Sequence, residues 1–443
     1  MNKELWLQAA QVEGIEEFEI YEQKMKNTSI RLFEGSVDGF TISECKGIAL
    51  RGIYHGKMGI CFLEEDDDRL MEYALHQIIQ NAEAITSNDE VEMYAGAEEY
   101  PVLEEKENHM IDLAAEEKIV MLKEIEEELL ASDQRISQVM ATNYGQVEVS
   151  RAIDNTKGIH LSDEHNASFI SCSVMAKDGD DTRIANDWMY LHEKEELDPK
   201  AFALALSKKV ISKLHGEPVE SGSYPVMIQN EAMGDLLTAL SGMFDGESIY
   251  KGISILKDQL GKQVFDERIR IVDDPLMKDG YESAAFDDEG VACYRKYLVE
   301  QGTFKTCLHN LKSAKLMKTT STGNGFKGGY AASVGISPTN LYIEKGDAGY
   351  EEMIASMDKG IIITEITGLH AGLNPISTEF SLQSSGFLVE EGKITRPVNL
   401  ITIAGNFMDI MKNIRMIGED LKMGSTGVGA PSILFESLAV SGK

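Results

Sequence analysis

Between Phe18 and Phe62 apolar and polar residues alternate with period two, and glycines punctuate the run. An alternation of this kind puts one set of side chains on each face of a pleated strand, so it excludes a helical bundle for this part of the chain. "TSIRLFEG", "VDGFTISECKG", "IALRGIYHG" and "KMGICFLEE" predict successive short antiparallel strands joined by turns at Gly35, Gly47 and Gly56. The period then changes. "EEDDDRLMEYALHQIIQNAEAI" predicts a helix whose apolar face is Leu70, Tyr73, Ala74, Ile78, Ala82 and Ile85, with an aspartate cluster at its positive end. "NDEVEMYAGAEEYPVLEEKENH" has neither period and is expected to be irregular, solvated and a domain boundary.

Farther on, "DLAAEEKIVMLKEIEEELLA" predicts a second helix with Leu113, Ile119, Leu122, Ile125 and Leu129 on one side. A strand-rich stretch follows, and "DPKAFALALSKKVISKLHG" predicts a helix capped by Asp198, opened by Pro199 and followed by Gly216. From about Ser221 the chain is mixed and mostly β-like. The reading is an α+β protein: an N-terminal strand meander with helices, a strand-rich middle region and a mixed, mostly-β C-terminal domain. At 443 residues two or three domains are expected, here 1–111, 112–220 and 221–443.

A formal net charge of −32 argues against nucleic acid as a partner, because phosphate binding draws on clustered Lys and Arg. No apolar run approaches the roughly 18 residues of a membrane helix, and the acidic N-terminus has no signal-like core, so a cytoplasmic protein with no membrane partner is expected. The five cysteines, Cys45, Cys61, Cys172, Cys293 and Cys307, are odd in number and never form C-x-x-C; reduced core thiols are expected.

Several short motifs carry less than they promise. "GNGFKG" (Gly323–Gly328) spells G-x-G-x-x-G but lacks the strand before and the helix after that a dinucleotide site needs; it reads as a glycine loop. "HEKEE" (His192–Glu196) has a glutamate where a zinc-protease motif needs its second histidine, and reads as a solvated acidic segment. His160 and His165 in "HLSDEH" sit in hairpin-like sequence, and exposed turn residues are a better reading than a metal site. "QNEAMGDLLTALSG" (229–242) reads as a helix start, with Asn230 at the cap and Leu236, Leu237 and Leu240 on one face.

That last stretch opens a longer pattern. "EAMGDLLTALSGMFDGESIYKGISILKDQLGKQVFDERIRIVDDP", "AAFDDEGVACYRKYLVEQGTFKTCLHNLKSAKLM", "STGN", "GLHAGLNPISTEFSLQSSGFLVEEGKITRPVNLITIAGNFMDIMKNI" and "APSILFESLAVSGK" together resemble the TldD/PmbA family, on its PmbA (TldE) side. The N-terminal meander fits as well, so the resemblance covers essentially the whole chain. It implies a two-subunit zinc metallopeptidase acting on unfolded peptides; the older family label is modulator of DNA gyrase. In that family the TldD-type subunit carries H-E-x-x-x-H on a helix and a cysteine near the C-terminus.

On this chain the first histidine of that motif falls at Asn230, the glutamate at Glu231 and the second histidine at Asp235. Only the glutamate is retained. "KMGSTGVGAPS", where the cysteine would lie, has none, and no cysteine follows Cys307. An amide and a carboxylate are poor substitutes for two imidazoles and a thiolate. Positions i and i+5 also stand about 140° apart on an ideal helix, so such a pair needs a local distortion to converge. Gly234 is either a relic of that close approach or a packing glycine.

The resemblance therefore implies no metal in this chain, zinc in a TldD-type partner, and a heterodimer with that subunit or a homodimer. His370 in "GLHAGLNP" is a candidate for a peptide groove or partner surface, against a structural role. Asp273, Asp274, Asp287 and Asp288 are expected to cap turns. The alternative reading is a stand-alone, non-catalytic binding or regulatory homodimer. A third, that the chain hydrolyses peptides by itself through an unrecognised site, is the weakest.

Overall fold

The computed structural model describes residues 1–87, 91–104 and 106–443. The start of the segment expected to be an irregular boundary, Asn88–Glu90, and Glu105 within it lie outside the described residues; the described remainder before His109 has no helix or strand. The fold is α+β, as expected.

The N-terminal alternation does make strands, but long ones. Glu17–Phe33 pairs antiparallel with Ser36–Tyr54, which turns at Gly56 into Lys57–Leu63. Gly35 and Gly56 sit at positive φ in these turns. Gly47 is not a turn: it lies mid-strand opposite Gln23. A Cβ there would sit 2.3 Å from the Tyr330 ring, so its glycine serves the packing of a remote aromatic instead.

Ile136–Asn155, His160–Asp178 and Asp181–Tyr190 extend the same sheet, giving the order 57–63, 36–54, 17–33, 136–155, 160–178, 181–190. The N-terminal meander and the middle strands are thus one hydrogen-bonded surface, joined between 17–33 and 136–155. A 17-residue strand is about 56 Å long, more than a helix of 13 residues, about 20 Å, can cover. The sheet accordingly carries two cores. Phe18, Ile20 and Leu50 pack under helices Lys3–Val12 and Met71–Glu83; Ile30, Tyr144 and Ile170 pack under Ala115–Ser132 and Pro199–Ile211.

On Met71–Glu83 the buried residues are Ala74, Leu75, Ile78 and Ala82, whereas Tyr73 and Ile85 are exposed. The expected stripe differs in that Tyr73 is exposed, Leu75 is buried and Ile85 lies past the helix end; the helix approaches the sheet closely at Gly59, which lies under the Ile78 carbonyl. Leu122, Ile125 and Leu129 are buried as expected, with Leu113 and Ile119 packed at the margin. Asp198 accepts from the Ala201 amide and Pro199 opens its helix.

Even-numbered positions of strand 17–33 face these helices. Odd-numbered Tyr21 faces the other way and packs with Ala49, Ile153 and Phe286 of the C-terminal region. There the strands Gly222–Ile228, Lys359–Thr367, Glu379–Glu390, Lys393–Asn406 and Ile433–Ser441 pair in a ring, since 393–406 bonds to both 379–390 and 433–441. A second C-terminal sheet includes Ile271–Asp273, Leu341–Ile343, Val428–Ala430 and Lys422–Met423. Helix Asn230–Leu240 lies between the two sheets, burying Met233, Leu236, Leu237 and Leu240 in the largest core. Among the described residues no helix is long and apolar enough to cross a membrane.

Candidate functional site

The apolar strand Gly222–Ile228 delivers the chain to helix Asn230–Leu240, whose buried leucines aim its opposite side at solvent. That side forms one wall of a groove of about 690 Å³. Trp188 from the first sheet, Lys209 from helix Pro199–Ile211, Leu369 and Lys422 complete it. Asn230, Glu231 and Asp235 all face this groove, so the fold brings the three sequence-predicted positions together.

Asn230 is not the cap. Gln229 has the extended cap conformation but no side-chain cap bond, and Asn230 is already helical. Its amide instead donates to the Asp420 carbonyl at 2.9 Å, and its backbone N–H donates to Ser432 Oγ at 3.1 Å. Ser432 in turn donates its hydroxyl to Asp420 at 2.7 Å. The helix start is therefore stitched to the C-terminal segment by a polar network rather than by a self-contained cap.

Glu231 is held between two cations. Lys209 Nζ lies 2.8 Å from one carboxylate oxygen and Lys422 Nζ 2.5 Å from the other. Burial opposes ionisation here, but the two lysine hydrogen bonds outweigh it and hold the carboxyl below its ordinary range. Asp235 is shifted the other way, upward, by desolvation in the groove and by the negative charge of Glu231.

This donor set does not suit a zinc ion. Of the two carboxylates, Glu231 has both oxygens occupied by ammonium groups, which would also repel a dication, and Asp235 is pushed toward its neutral form. Asn230 is engaged with Asp420, and among the described residues no three His, Cys, Asp or Glu side chains converge as a metal cluster. Gly234 faces strand Val428–Ala430 with its would-be Cβ 3.7 Å from the Val428 carbonyl, an ordinary contact, so the packing around it leaves room for a side-chain methyl. Lys209 and Lys422 carried no sequence signal, since neither stands at a recognisable spacing from Glu231.

The remaining candidates separate. His370 is exposed on the short helix Leu369–Gly372, and it is its neighbour Leu369 that lines the groove. Asp274 and Asp287 accept backbone N–H groups in turns, from Leu276 and from Glu289 and Val291, as expected. Asp273 and Asp288 do not cap turns, contrary to expectation: their side chains bond to residues distant in sequence. Buried Asp273 takes bonds from Lys296 at 2.8 Å, Asn324 at 2.9 Å and the Thr339 amide at 2.6 Å. Asp288 takes Arg151 at 2.7 Å and the Tyr21 hydroxyl at 2.9 Å, tying the first sheet to the C-terminal region. Both carboxylates are buried, and the Lys296 and Arg151 cations compensate their charge.

The motifs set aside above stay apart from the groove. Gly325–Phe326 of "GNGFKG" pairs as a short strand with Gly335–Ile336. His160 and His165 lie on one strand, not in a turn, and pair with Asp154 and Asp163. Five residues apart, they point to opposite faces, and so cannot share an ion. Lys194–Glu196 forms a 3₁₀ turn whose Glu196 is exposed. Cys61, Cys172, Cys293 and Cys307 are buried free thiols; Cys45 is exposed, on the uncovered half of strand 36–54.

Three family models describe this architecture in order: PmbA/TldA metallopeptidase domain 1 over residues 18–86, the central domain over 108–214 and the C-terminal domain over 221–442. The chain is 27% identical to Metalloprotease PmbA of Escherichia coli O157:H7, across 76% of this chain and 72% of that one. A Thermotoga maritima crystal structure, described as a modulator of DNA gyrase, superposes with a TM-score of 0.91 at 32% identity over 99% of both chains. TldE from Thermococcus kodakarensis shares the fold with a TM-score of 0.90 at 20% identity, over 99% of this chain and 100% of that one. The chain belongs to the PmbA/TldD metallopeptidase family.

Proposed function

We propose that this chain is the PmbA/TldE-like subunit of a two-subunit zinc metallopeptidase acting on unfolded peptides, with the zinc held by a TldD-type subunit. The observation that carries the reading is the Lys209–Glu231–Lys422 cluster at the position of the metal helix. A glutamate serves as general base in a zinc peptidase by taking a proton from a metal-bound water. Here both its oxygens are neutralised by ammonium groups, which supports a positioning role for the helix rather than a catalytic one. The groove walled by Trp188, Leu369 and the helix then offers one side of a substrate chamber, which the partner would close. The proposal includes a cytoplasmic setting and no nucleic-acid or membrane partner, in keeping with the net charge.

Zinc bound per chain tests it directly, measured on the protein purified alone and on the protein co-purified with a TldD-type subunit. The expected result is zinc only in the complex, with peptidase activity following it. One equivalent of zinc on the lone chain would overturn the reading. Failure to associate with any TldD-type subunit, with a stable homodimer instead, would favour the stand-alone regulatory role.

A further inference from the structure

A second cavity, of about 310 Å³, opens between the first sheet and the C-terminal region, away from the residues of the metal helix. Its walls are mostly apolar: Ile60 and Phe62 on the sheet, Leu311, Tyr330 and Val334 opposite. Phe62 and Tyr330 meet edge to face at 6.3 Å, closing one side. Arg51, Glu289 and Lys327 supply a polar floor.

The floor carries both signs of charge, and its groups differ in how they are paired. Arg51 is engaged by buried Glu19, whose Oε1 accepts from its Nε at 2.9 Å. Glu289 accepts the Leu311 amide at 2.7 Å. At the rim, Lys312 is paired with Glu247 at 2.9 Å. Lys327 is different. Its backbone N–H is anchored on Asp288 at 2.7 Å, and its ammonium stands 3.7 Å above the Tyr21 ring with no hydrogen-bond or ion-pair partner among the described residues. Burial, with Arg51 nearby, pushes that ammonium down to about 8. Glu19, Asp288 and Glu289 act on it electrostatically without bonding to it, and burial pushes the Glu289 carboxyl upward, which weakens it as a counter-charge.

We propose that this cavity binds a small carboxylate, its anionic head on the Lys327 ammonium and its apolar body between Ile60, Phe62 and Leu311. Among the described residues Lys327 is the cation of this lining without a hydrogen-bond or ion-pair partner, and one such cation suits a monoanion; a phosphate dianion would ask for several free donors. The volume stands at the small end of ligand sites, roughly 300–1,000 Å³, which suits a body the size of one aliphatic side chain. In a chain of charge −32, non-specific anion uptake is disfavoured, so binding here must come from this local arrangement. The inference is independent of the peptidase reading. Two sources share the chemistry: the C-terminal carboxylate of a short peptide and a free apolar acid.

The test is calorimetric titration of the full chain with N-acetyl-leucine, N-acetyl-leucinamide and the tripeptide Ala-Ala-Leu. N-acetyl-leucine is expected to bind, and the amide at least about tenfold more weakly, the scale of a lost charge-assisted hydrogen bond. Lys327→Met is expected to abolish the difference. Ile60→Trp, a substitution at a part-exposed strand position, should block binding by filling the cavity even where Lys327→Met disturbs folding. Binding of the tripeptide as well identifies the chain-terminal carboxylate as the ligand; binding of the capped amino acid alone identifies the free acid. Equal binding of acid and amide, binding undiminished in Ile60→Trp, or no binding at millimolar concentration overturns the proposal.

Discussion

Lys422 Nζ lies 2.5 Å from Glu231 Oε1, a contact between residues 191 positions apart that sets a cation on the first turn of helix Asn230–Leu240. With Lys209 on the other oxygen at 2.8 Å, the glutamate is a structural ion-pair centre. Replacing Glu231 by Gln should therefore change peptidase activity of the complex with a TldD-type subunit by less than about threefold. Loss of a true general base costs roughly 10²–10⁴-fold. Steady-state rates on an unfolded peptide separate the two cases.

The same cluster makes a pH prediction. Its net effect is to depress the Glu231 carboxyl in the folded chain, so its contribution to stability is present above the ordinary carboxylate range and is lost as pH falls through it. Lys209→Met with Lys422→Met should remove that dependence and raise the Glu231 pKa. Because all three side chains are part-exposed, the expected loss of stability at neutral pH is small, about 1 kcal/mol. Urea unfolding at pH 7 and pH 4 measures it; an unchanged pH dependence in the double variant would count against the cluster's role.

His309 should act on stability over a different window. Buried beside Ser313, its imidazole is pushed down to about 4 by desolvation, with Asp245 only partly offsetting this. Its folded pKa is below the unfolded value, so the unfolded chain binds the extra proton between them. Stability from this group is complete above about pH 6.5 and is lost as pH falls toward 4, by about 3 kcal/mol in all. His309→Asn should flatten the slope of unfolding free energy against pH in that interval.

Two glycines should respond oppositely to alanine. At Gly59 a Cβ would sit 1.9 Å from the Ile78 backbone carbonyl, forcing helix Met71–Glu83 off its sheet. Gly59→Ala is expected to destabilise by about 1–3 kcal/mol. At Gly234 the nearest atom is 3.7 Å away and the backbone is helical, so Gly234→Ala should gain about 0.5–1 kcal/mol. Midpoints of chemical denaturation give both signs.

Much of the architecture was legible because it rests on local periodicity. Alternation in 17–63, the Asp198–Pro199 helix start and the leucine face of 229–242 each depend on neighbours within a few residues. Gly47 was misread as a turn because its reason is Tyr330, nearly three hundred positions away. Tyr73 is exposed although the period places it on the apolar face, because period alone cannot tell how much of a helix the neighbouring sheet will cover. The candidate site divided in the same way. Asn230, Glu231 and Asp235 were found through a resemblance carried by contiguous residues, whereas Lys209, Lys422 and the Asp420–Ser432 network were invisible until the chain was folded.

By itself, then, the sequence determined most of the strand and helix segments, the α+β class, the residues at positions 230, 231 and 235, and the acidic net charge. Tertiary structure decided the electrostatic state of these side chains. Two ammonium groups from separate elements meet one carboxylate, and a third, Lys327, is left above an aromatic ring without a counter-ion among the described residues. The reason is physical: backbone periodicity is encoded within a few residues, but the electrostatic state of a side chain depends on charges that only the packing of distant segments brings within a few ångströms.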